Sequence, residues 1–289
     1  MSQEIKIVFF GSDDFSSKVL CFLMSKFQIS CCVVKNNIDS DFANFARSNG
    51  IKVVVFKELN KDILKKSDFA IVASFGKIIG EDLLNLTEFI NVHGSYLPQL
   101  RGATPVQTSL LLGSTSGGVT IMKMSKGMDE GDILKQKKIM ITEGDNYHIL
   151  RDRVGMIGGE LLVDVLENIK SIIPTKQNSM DATYCFTNDF SYENARIDWL
   201  DRSEDIKNKV RAFYPAWTMF GGTGVNIYDT EVSDIESDIP GKILPLSKDL
   251  YIGCADFYLK VLKIQRFSKK ILSGTDFKNG IQNKDIKFV

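Results

Sequence analysis

The sequence predicts a doubly wound α/β domain followed by a smaller β domain. Through the first 140 residues, short apolar runs of β-type residues alternate with amphipathic stretches. Strands that are apolar almost throughout are typical of a parallel sheet covered by helices on both faces. Beyond residue 196, short β runs are separated by turns such as GGTG, DIPG and CADF, which favours a small closed or partly open β-barrel.

The α/β pattern predicts a regular succession of elements. The predicted strands are Ile5–Phe10, Ile29–Val34, Lys52–Phe56, Phe69–Ser74, Phe89–His93, 118–124 and 132–141. The predicted helices are Phe15–Ser25, Asp41–Ser48, Glu81–Leu86, one that begins at Thr104, and Tyr147–Ile169. In the first helix the apolar residues Val19, Leu20, Phe22 and Leu23 have helical spacing. Pro105 in the first turn of the fourth helix fits the preference of proline for that position.

Three segments make up the predicted domain organisation. Residues 1–175 form the catalytic domain, 176–195 a linker with many polar and turn-forming residues, and 196–289 the C-terminal domain. The C-terminal domain is predicted to contain one helix and four strands. These are the helix Ser203–Phe213 and the strands Val225–Val232, Lys242–Leu246, Leu250–Cys254 and Phe257–Arg266.

Composition limits the class of protein. Lys and Arg total 36 and Asp and Glu total 36, so global charge gives no argument for nucleic-acid binding. The absence of a long apolar stretch and of a signal-like start makes a cytoplasmic protein the expectation. The cysteines show no CxxC spacing, which fits reduced packing residues better than a disulfide framework or a zinc site, and we expect no metal. They are Cys21, Cys31, Cys32, Cys185 and Cys254.

Gly11 follows the first predicted strand in the stretch VFFGSDDF. A dinucleotide fingerprint needs G-x-G-x-x-G, and only its first glycine is present. Asp13 and Asp14 would also repel a pyrophosphate. The stretch therefore predicts a turn and a helix N-cap, and a nicotinamide dehydrogenase is disfavoured.

Asn91 and His93 end the fifth predicted strand, and His93 is one of only two histidines. Because side chains alternate along a strand, these two project from the same face. Ligands of open parallel sheets bind at the carboxyl ends of strands, where this amide and imidazole are expected. By itself, a histidine here also fits a hydrogen-bonded structural role. His148 lies inside a predicted helix, and we expect it to be structural.

The loop KGMDEGDIL supplies carboxylates between two later strands. Asp129 is the candidate for acid/base chemistry, but a turn-capping role explains it equally well. Glu130 and Asp132 compete for the same role, so residue spacing alone leaves the choice open.

The motifs taken together resemble the formyltransferase family that uses 10-formyltetrahydrofolate. The similarity rests on Asn91-x-His93, on S-Y-L-P-Q-L-R-G within Gly94–Gly102, and on D-E-G-D at Asp129–Asp132. It implies a Rossmann-like formyltransferase domain with a parallel-rich sheet, followed by a small OB-like β-barrel. The motif register selects Asp129 as the carboxylate, with Asn91, His93 and Asp129 as catalytic residues.

The C-terminal segments resemble the members of this family that act on tRNA. RIDW (196–199), VRAFYPAW (210–217) and DFKNGIQNKD (276–285) carry that similarity. It implies a monomeric enzyme that formylates methionyl-initiator tRNA for translation initiation. A nucleotide-sugar N-formyltransferase would share the folate chemistry and is the alternative. An RNA-binding protein without catalysis is a third possibility, although all three catalytic positions are intact.

The resemblance also implies binding residues. Folate is expected to contact Ser74, Phe75, Gly76, Lys77, Ile78, Ile79, Ser95, Leu97, Pro98, Lys126, Gly127 and Met128. A basic patch expected to bind tRNA comprises Lys207, Lys209, Arg211, Lys260, Lys263, Arg266, Lys269 and Lys270. Three departures are visible: the family's basic, glycine-rich loop after the second strand is missing, and Asp13 and Gly80 stand where proline is common.

These groups are suited to attack of an amine on a formyl amide. Asn91 and His93 can donate hydrogen bonds to the developing oxyanion, and losing one such donor costs roughly 3 to 4 kcal/mol. Asp129 would orient the imidazole, favour its protonated form and relay a proton through water.

Overall fold

A computed structural model describes residues 5–281 and 286–289. The chain divides into two compact units. The first contains the chain up to Pro105 together with Ser116–Met140 and Leu150–Cys185. The second contains Val106–Thr115, Ile141–Ile149 and the chain from Phe186 onward. The domain boundaries at residues 175 and 196 remain a prediction.

The first unit contains a mixed sheet. Its strands are β1 (Lys6–Gly11), β2 (Gln28–Val34), β3 (Val53–Val55), β4 (Phe69–Ala73), β5 (Glu88–His93), β7 (Ser116–Lys123) and β8 (Ile133–Met140). They lie in the order β3-β2-β1-β4-β5-β7-β8. The first five are mutually parallel, while β7 is antiparallel to both β5 and β8. Two short strands, β6 (Arg101–Gly102) and β9 (Tyr184–Cys185), form a separate parallel pair. The predicted parallel-rich α/β domain is confirmed.

Local signals explain where the helices begin. They are α1 (Asp14–Met24), α2 (Asp41–Ser48), α3 (Lys61–Lys65), α4 (Glu81–Leu84), α5 (Pro105–Leu111) and α6 (Tyr147–Glu167). Asp13 accepts a hydrogen bond from the Ser16 amide in a capping box, which starts α1. The Ser40 hydroxyl accepts one from the Ala43 amide and starts α2.

The sheet brings three strand ends to one edge. Gly11 at the end of β1 pairs with Ala73 at the end of β4, and Val72 pairs with Asn91 of β5. The strand order reverses between β1 and β4, so this edge contains the topological switch point where α/β sheets bind ligands. His93 is the last residue of β5 and lies at the same edge.

The second unit contains an antiparallel sheet. Its elements are α7 (Ser203–Phe213), β10 (Ala216–Phe220), β11 (Thr223–Glu236), β12 (Tyr251–Gly253), β13 (Phe257–Arg266), β14 (Leu272–Ser273) and α8 (Gly274–Asn279). The strand order is β10-β11-β13-β12, and β14 pairs with β13. Trp199, Phe220 and Phe288 lie in its buried core. Residues 282–285, at the end of the DFKNGIQNKD stretch, lie outside the described residues.

The predicted strand Lys242–Leu246 is wrong. Only Ile243 forms a bridge, to Ile252. Pro245 has no N–H to continue the ladder. The Lys278 ammonium donates instead to the carbonyls of Leu244, Ser247 and Asp249, at 2.8, 2.7 and 3.1 Å. In the second unit β10, β14 and α8 were not predicted from the sequence, and in the first unit α3, β6 and β9 were not predicted.

The cysteines are all free, and four of the five are buried. Burial raises the pKa of the Cys31 thiol to about 11 and that of Cys254 to about 12, so both thiols stay protonated at neutral pH. Among the described residues, no group of three or more His, Cys, Asp or Glu side chains could hold a metal ion. In the same part of the chain, no helix is both long enough and apolar enough to cross a membrane.

Asp256 caps α7 from outside the helix. Arg202, the residue before α7, makes no side-chain hydrogen bond to the start of the helix. Asp256 Oδ1 instead accepts a hydrogen bond from the Ser203 amide at 2.8 Å. Burial raises the pKa of Asp256, but hydrogen bonds from Ser203, Phe257 and Arg202 outweigh it and lower the pKa to about 2.

We expect Asp256→Ala to lower the free energy of unfolding by about 1 to 2 kcal/mol at pH 7, because α7 loses its cap. The ordinary Asp pKa is 3.8, so this contribution is complete above that pH and is lost as the pH falls toward 2. Urea unfolding at pH 7 and pH 3 measures it. If the difference in free energy of unfolding between wild type and variant is larger at pH 3 than at pH 7, Asp256 does not stabilise α7 as a charged cap.

Candidate active site

Asn91, His93 and Asp129 meet at the carboxyl edge of the sheet. Asn91 Nδ2 donates to Asp129 Oδ1 at 3.3 Å. His93 Nδ1 lies 3.6 Å from Asp129 Oδ2, which is within ion-pair range but beyond a normal hydrogen bond. The His93 side chain is 5% exposed and that of Asp129 is 18% exposed. The structure therefore brings the three predicted catalytic side chains together in a largely buried cluster.

His93 has an oxygen atom facing each of its ring nitrogens. Nε2 donates to the Leu100 carbonyl at 2.9 Å, and Nδ1 faces Asp129. Asp129 is thus placed to orient the imidazole, as in other carboxylate–histidine pairs. For Nε2 to donate to a substrate carbonyl, its hydrogen bond to the Leu100 carbonyl must first break.

The backbone of Asp129 is strained. Its φ of +50° lies in the left-handed region, which non-glycine residues rarely adopt. The Gly102 amide donates to Asp129 Oδ2 at 2.9 Å, and the Gln177 side-chain amide donates to the Asp129 carbonyl at 2.8 Å. Side chain and backbone of Asp129 are therefore held from two distant parts of the chain.

Gln177 is a site residue that sequence reasoning missed. Its Nε2 also donates to the Gly131 carbonyl at 2.7 Å. Its Oε1 accepts from Nε and NH2 of Arg101 at 3.0 and 2.8 Å. Arg101 is only 2% exposed, so the amide connects a buried guanidinium to the Asp129 loop. Gln177 falls in an aperiodic polar stretch predicted as linker, and no local signal there predicts such a contact.

The turn after His93 is fixed by an internal network. Thr120 Oγ1 donates to the Ser95 carbonyl at 2.7 Å and accepts the Leu97 amide at 3.1 Å. The Gln136 side-chain amide donates to the Leu97 carbonyl at 2.8 Å. The Ser95 hydroxyl donates to the Gln99 carbonyl at 2.5 Å. Ser95 and Leu97, both predicted to contact folate, are buried parts of this turn.

The remaining predicted folate residues differ in exposure. Phe75 and Ile79 are buried in the core beneath the sheet edge. The exposed residues are Ser74, Gly76, Lys77, Ile78, Lys126 and Met128, while Pro98 and Gly127 are half-buried. The loop containing Ser74–Ile79 leads into α4, where Glu81 lies 3.4 Å from Lys126. The two segments predicted to receive folate therefore approach each other.

In the second unit, most of the predicted tRNA-binding cations have structural partners. Lys207 contacts Glu143 and Glu204, and its hydrogen bond lowers the pKa of Glu143. Arg211 donates to the carbonyls of Asp145 and Thr142. Lys209 donates to the Arg196 carbonyl, Lys260 pairs with Asp249 at 3.1 Å, and the Arg266 guanidinium lies 4.9 Å from the centre of the Phe277 ring. Lys263, Lys269 and Lys270 are exposed.

Comparison of the sequence with known families identifies the class of protein. Residues 6–166 match the family described as formyl transferase, and residues 190–282 match its C-terminal domain. The chain therefore belongs to the formyl transferase family.

Curated relatives align over nearly their whole length. A methionyl-tRNA formyltransferase of Hydrogenobaculum sp. (strain Y04AAS1) is 32% identical, with 98% of this chain and 100% of the relative covered. Proteins of the same name from Ehrlichia chaffeensis and Streptococcus sanguinis are each 33% identical. The alignment covers 98% and 96% of this chain and 100% and 96% of those relatives, respectively.

Solved structures share the fold. The sugar 3N-formyl transferase WlaRD superposes with a TM-score of 0.70 at 19% identity, covering 93% of this chain and 100% of that one. An N-formyltransferase from Helicobacter canadensis gives a TM-score of 0.70 at 21% identity, covering 91% of this chain and 100% of that one. At these identities the likeness concerns the fold alone.

We expect Gln177→Leu to lower the free energy of unfolding by about 2 to 4 kcal/mol, because Nε and NH2 of buried Arg101 lose their acceptor and the Asp129 and Gly131 carbonyls lose a donor. Urea unfolding measures the change. Gln99→Leu is the matched control, since Gln99 is exposed, and should stay within about 0.5 kcal/mol of wild type. Equal effects of the two substitutions would contradict the assigned contacts.

Proposed function

We propose that this protein transfers the formyl group of 10-formyltetrahydrofolate to the α-amino group of methionyl-initiator tRNA, acting as a monomer in the cytoplasm. The convergence of Asn91, His93 and Asp129 at the switch-point edge carries the proposal. The name shared by curated relatives at 32–33% identity supports the choice of acceptor.

Each of the three side chains has a distinct role in this proposal. Asn91 has a second N–H beside the one given to Asp129, and this N–H can donate to the formyl oxygen as negative charge develops. His93 supplies the second donor after exchanging its bond with Leu100. Asp129 orients the imidazole. Through water it also relays the proton lost by the attacking amine to the folate nitrogen, which leaves as its bond to the formyl carbon breaks.

The residues around this cluster fit a folate co-substrate. Ile78 is 85% exposed and Met128 is 55% exposed, so apolar surface is available to a pterin on both predicted segments. Ser125 Oγ is buried and finds no hydrogen-bond partner among the described residues, which leaves a polar group for a ligand at the start of the second segment. We propose that folate contacts Ser74–Ile79 and Ser125–Asp129 in this way.

The acceptor distinguishes this proposal from its alternative, a nucleotide-sugar N-formyltransferase. Relatives aligned over 96–100% of their own length bear the tRNA enzyme's name. The solved sugar enzymes are only 19–21% identical to this chain, and a similarity at that level gives no argument about which substrate this chain uses. Lys263, Lys269 and Lys270 of the second unit are exposed, and we propose that they contact phosphate oxygens of the tRNA.

Incubation with 10-formyltetrahydrofolate and either methionyl-tRNA or nucleotide-linked amino sugars tests the proposal. We expect formylmethionine to be released from the tRNA by hydrolysis and no formylated sugar. Formylation of the sugar alone would establish the alternative.

We expect His93→Ala and Asp129→Asn each to lower kcat by about 10²- to 10⁴-fold. The first removes a hydrogen-bond donor to the oxyanion, and the second removes the charge that orients the imidazole. Binding of tetrahydrofolate, followed by calorimetry, should persist in both. Glu130→Gln is the control, since Glu130 is an exposed neighbouring carboxylate, and should retain wild-type kcat. Near-normal turnover of either site variant would overturn its assignment.

We expect substitution of Lys263, Lys269 and Lys270 by Gln to raise KM for methionyl-tRNA and to reduce its dependence on salt, because fewer counterions are displaced. The KM for folate should not change. Lys248→Gln replaces another exposed lysine of the same unit and serves as the control. An unchanged salt slope in the triple variant would show that these lysines do not contact tRNA.

A further inference from the structure

Asp13 joins three segments of the first unit through the two oxygens of its carboxylate. Oδ1 accepts the Ser16 amide at 3.3 Å and so caps α1. Oδ2 accepts the Ser74 hydroxyl at 2.6 Å and NH2 of Arg151 at 2.5 Å. Arg151 NH2 also donates to Ser74 Oγ at 3.3 Å, which closes a triangle of side chains.

This triangle holds the first residue of the predicted folate loop. Ser74 directly follows β4 and has a φ of +49°, a left-handed conformation that costs energy for any residue with a Cβ. Gly76 also has a positive φ, of +67°. The bonds to Ser74 therefore hold the start of this loop in its left-handed conformation.

The cation of the triangle is itself fixed. The Arg151 side chain is 17% exposed, and its guanidinium lies 5.5 Å from the centre of the Phe15 ring. Asp13 is 39% exposed, so the pair lies at the boundary between core and solvent. A carboxylate at position 13 can accept the bonds from Ser16, Ser74 and Arg151 at the same time.

We propose that Asp13 and Arg151 are positioning residues for the folate co-substrate: by holding Ser74 in its left-handed conformation, they shape the loop that receives the pterin and so determine folate affinity. The inference rests on the folate part of the proposed function. It does not depend on which acceptor receives the formyl group.

The chain supplies a matched control. Lys18 and Asp152 form a second ion pair between α1 and α6, with 3.5 Å between Nζ and Oδ1. Like the Asp13–Arg151 pair, this pair connects α1 to α6, and Asp152 is the residue next to Arg151. Neither Lys18 nor Asp152 bonds to Ser74 in this pair. Loss of this pair reports what a link between the helices contributes without the loop.

The experiment measures the Kd of 5-formyltetrahydrofolate by calorimetry, together with the Tm, for Arg151→Gln, Asp13→Asn, the double variant and Asp152→Asn. Asparagine remains a good N-cap, so Asp13→Asn keeps α1 capped. We expect each single variant to raise Kd about three- to tenfold, as for loss of a charge-assisted bond in a partly buried pair. The double variant should be no weaker than the worse single one, because both act through one triangle. Asp152→Asn should change Kd by less than twofold.

Wild-type affinity in Arg151→Gln and Asp13→Asn would overturn the inference. So would an Asp152→Asn variant that weakens binding equally, or additive effects in the double variant. Steady-state kinetics supply a further readout: KM for 10-formyltetrahydrofolate should rise, whereas KM for the acceptor should stay unchanged. If the enzyme formylates sugars rather than tRNA while these shifts are observed, the proposed acceptor is wrong and the positioning role stands. If methionyl-tRNA is formylated and folate affinity is the same in all variants, the positioning role is wrong and the acceptor stands.

Discussion

The rest of the candidate site depends on the contacts made by the Asp129 carboxylate. It accepts from the Asn91 amide and the Gly102 backbone and faces the His93 imidazole, so one side chain connects a strand end, a turn and a loop. It does so from a left-handed backbone, which persists only where surrounding contacts over-determine it. Those contacts come chiefly from Gln177, whose amide is oriented in turn by the buried Arg101 guanidinium.

The same principle recurs at the neighbouring strand end. Ser74 is a second non-glycine residue with positive φ, and Asp13 and Arg151 hold it as Gln177 holds the Asp129 loop. Ser74 follows β4, which borders the switch point, and Asp129 bonds to Asn91 of the adjacent strand β5. Both strained residues thus lie where the carboxyl ends of parallel strands leave room for a ligand. A rigid hydrogen-bonded support under each loop allows polar groups to be pre-oriented before substrate arrives, which is the condition for electrostatic catalysis.

Charged residues of the second unit show why sequence alone is a weak guide to an interface. Eight cations looked equivalent as a basic patch, yet Lys207 and Arg211 satisfy a carboxylate and backbone carbonyls, and Arg266 stacks on an aromatic ring. The side chains of Lys and Arg are long, and whether each meets solvent or a buried acceptor is decided by packing. Lys269 and Lys270, by contrast, are exposed to solvent.

Sequence by itself determined the α/β class and the parallel strands, because apolar periodicity and caps are local properties of neighbouring residues. It placed Asn91 and His93 together at a strand end, but only the resemblance to the formyltransferase family selected Asp129 over Glu130 and Asp132. Only the tertiary structure decided that Asn91 and Asp129, 38 residues apart, are bonded, and that Gln177 supports a loop 48 residues before it. It also decided that Lys242–Leu246 forms a single bridge at Ile243 rather than a strand. Pro245 has no N–H to donate, and the Leu244 carbonyl accepts from Lys278. Such contacts depend on strand order, register and loop path. The residues next to a polar side chain in the sequence do not indicate which distant group it will bond to after folding.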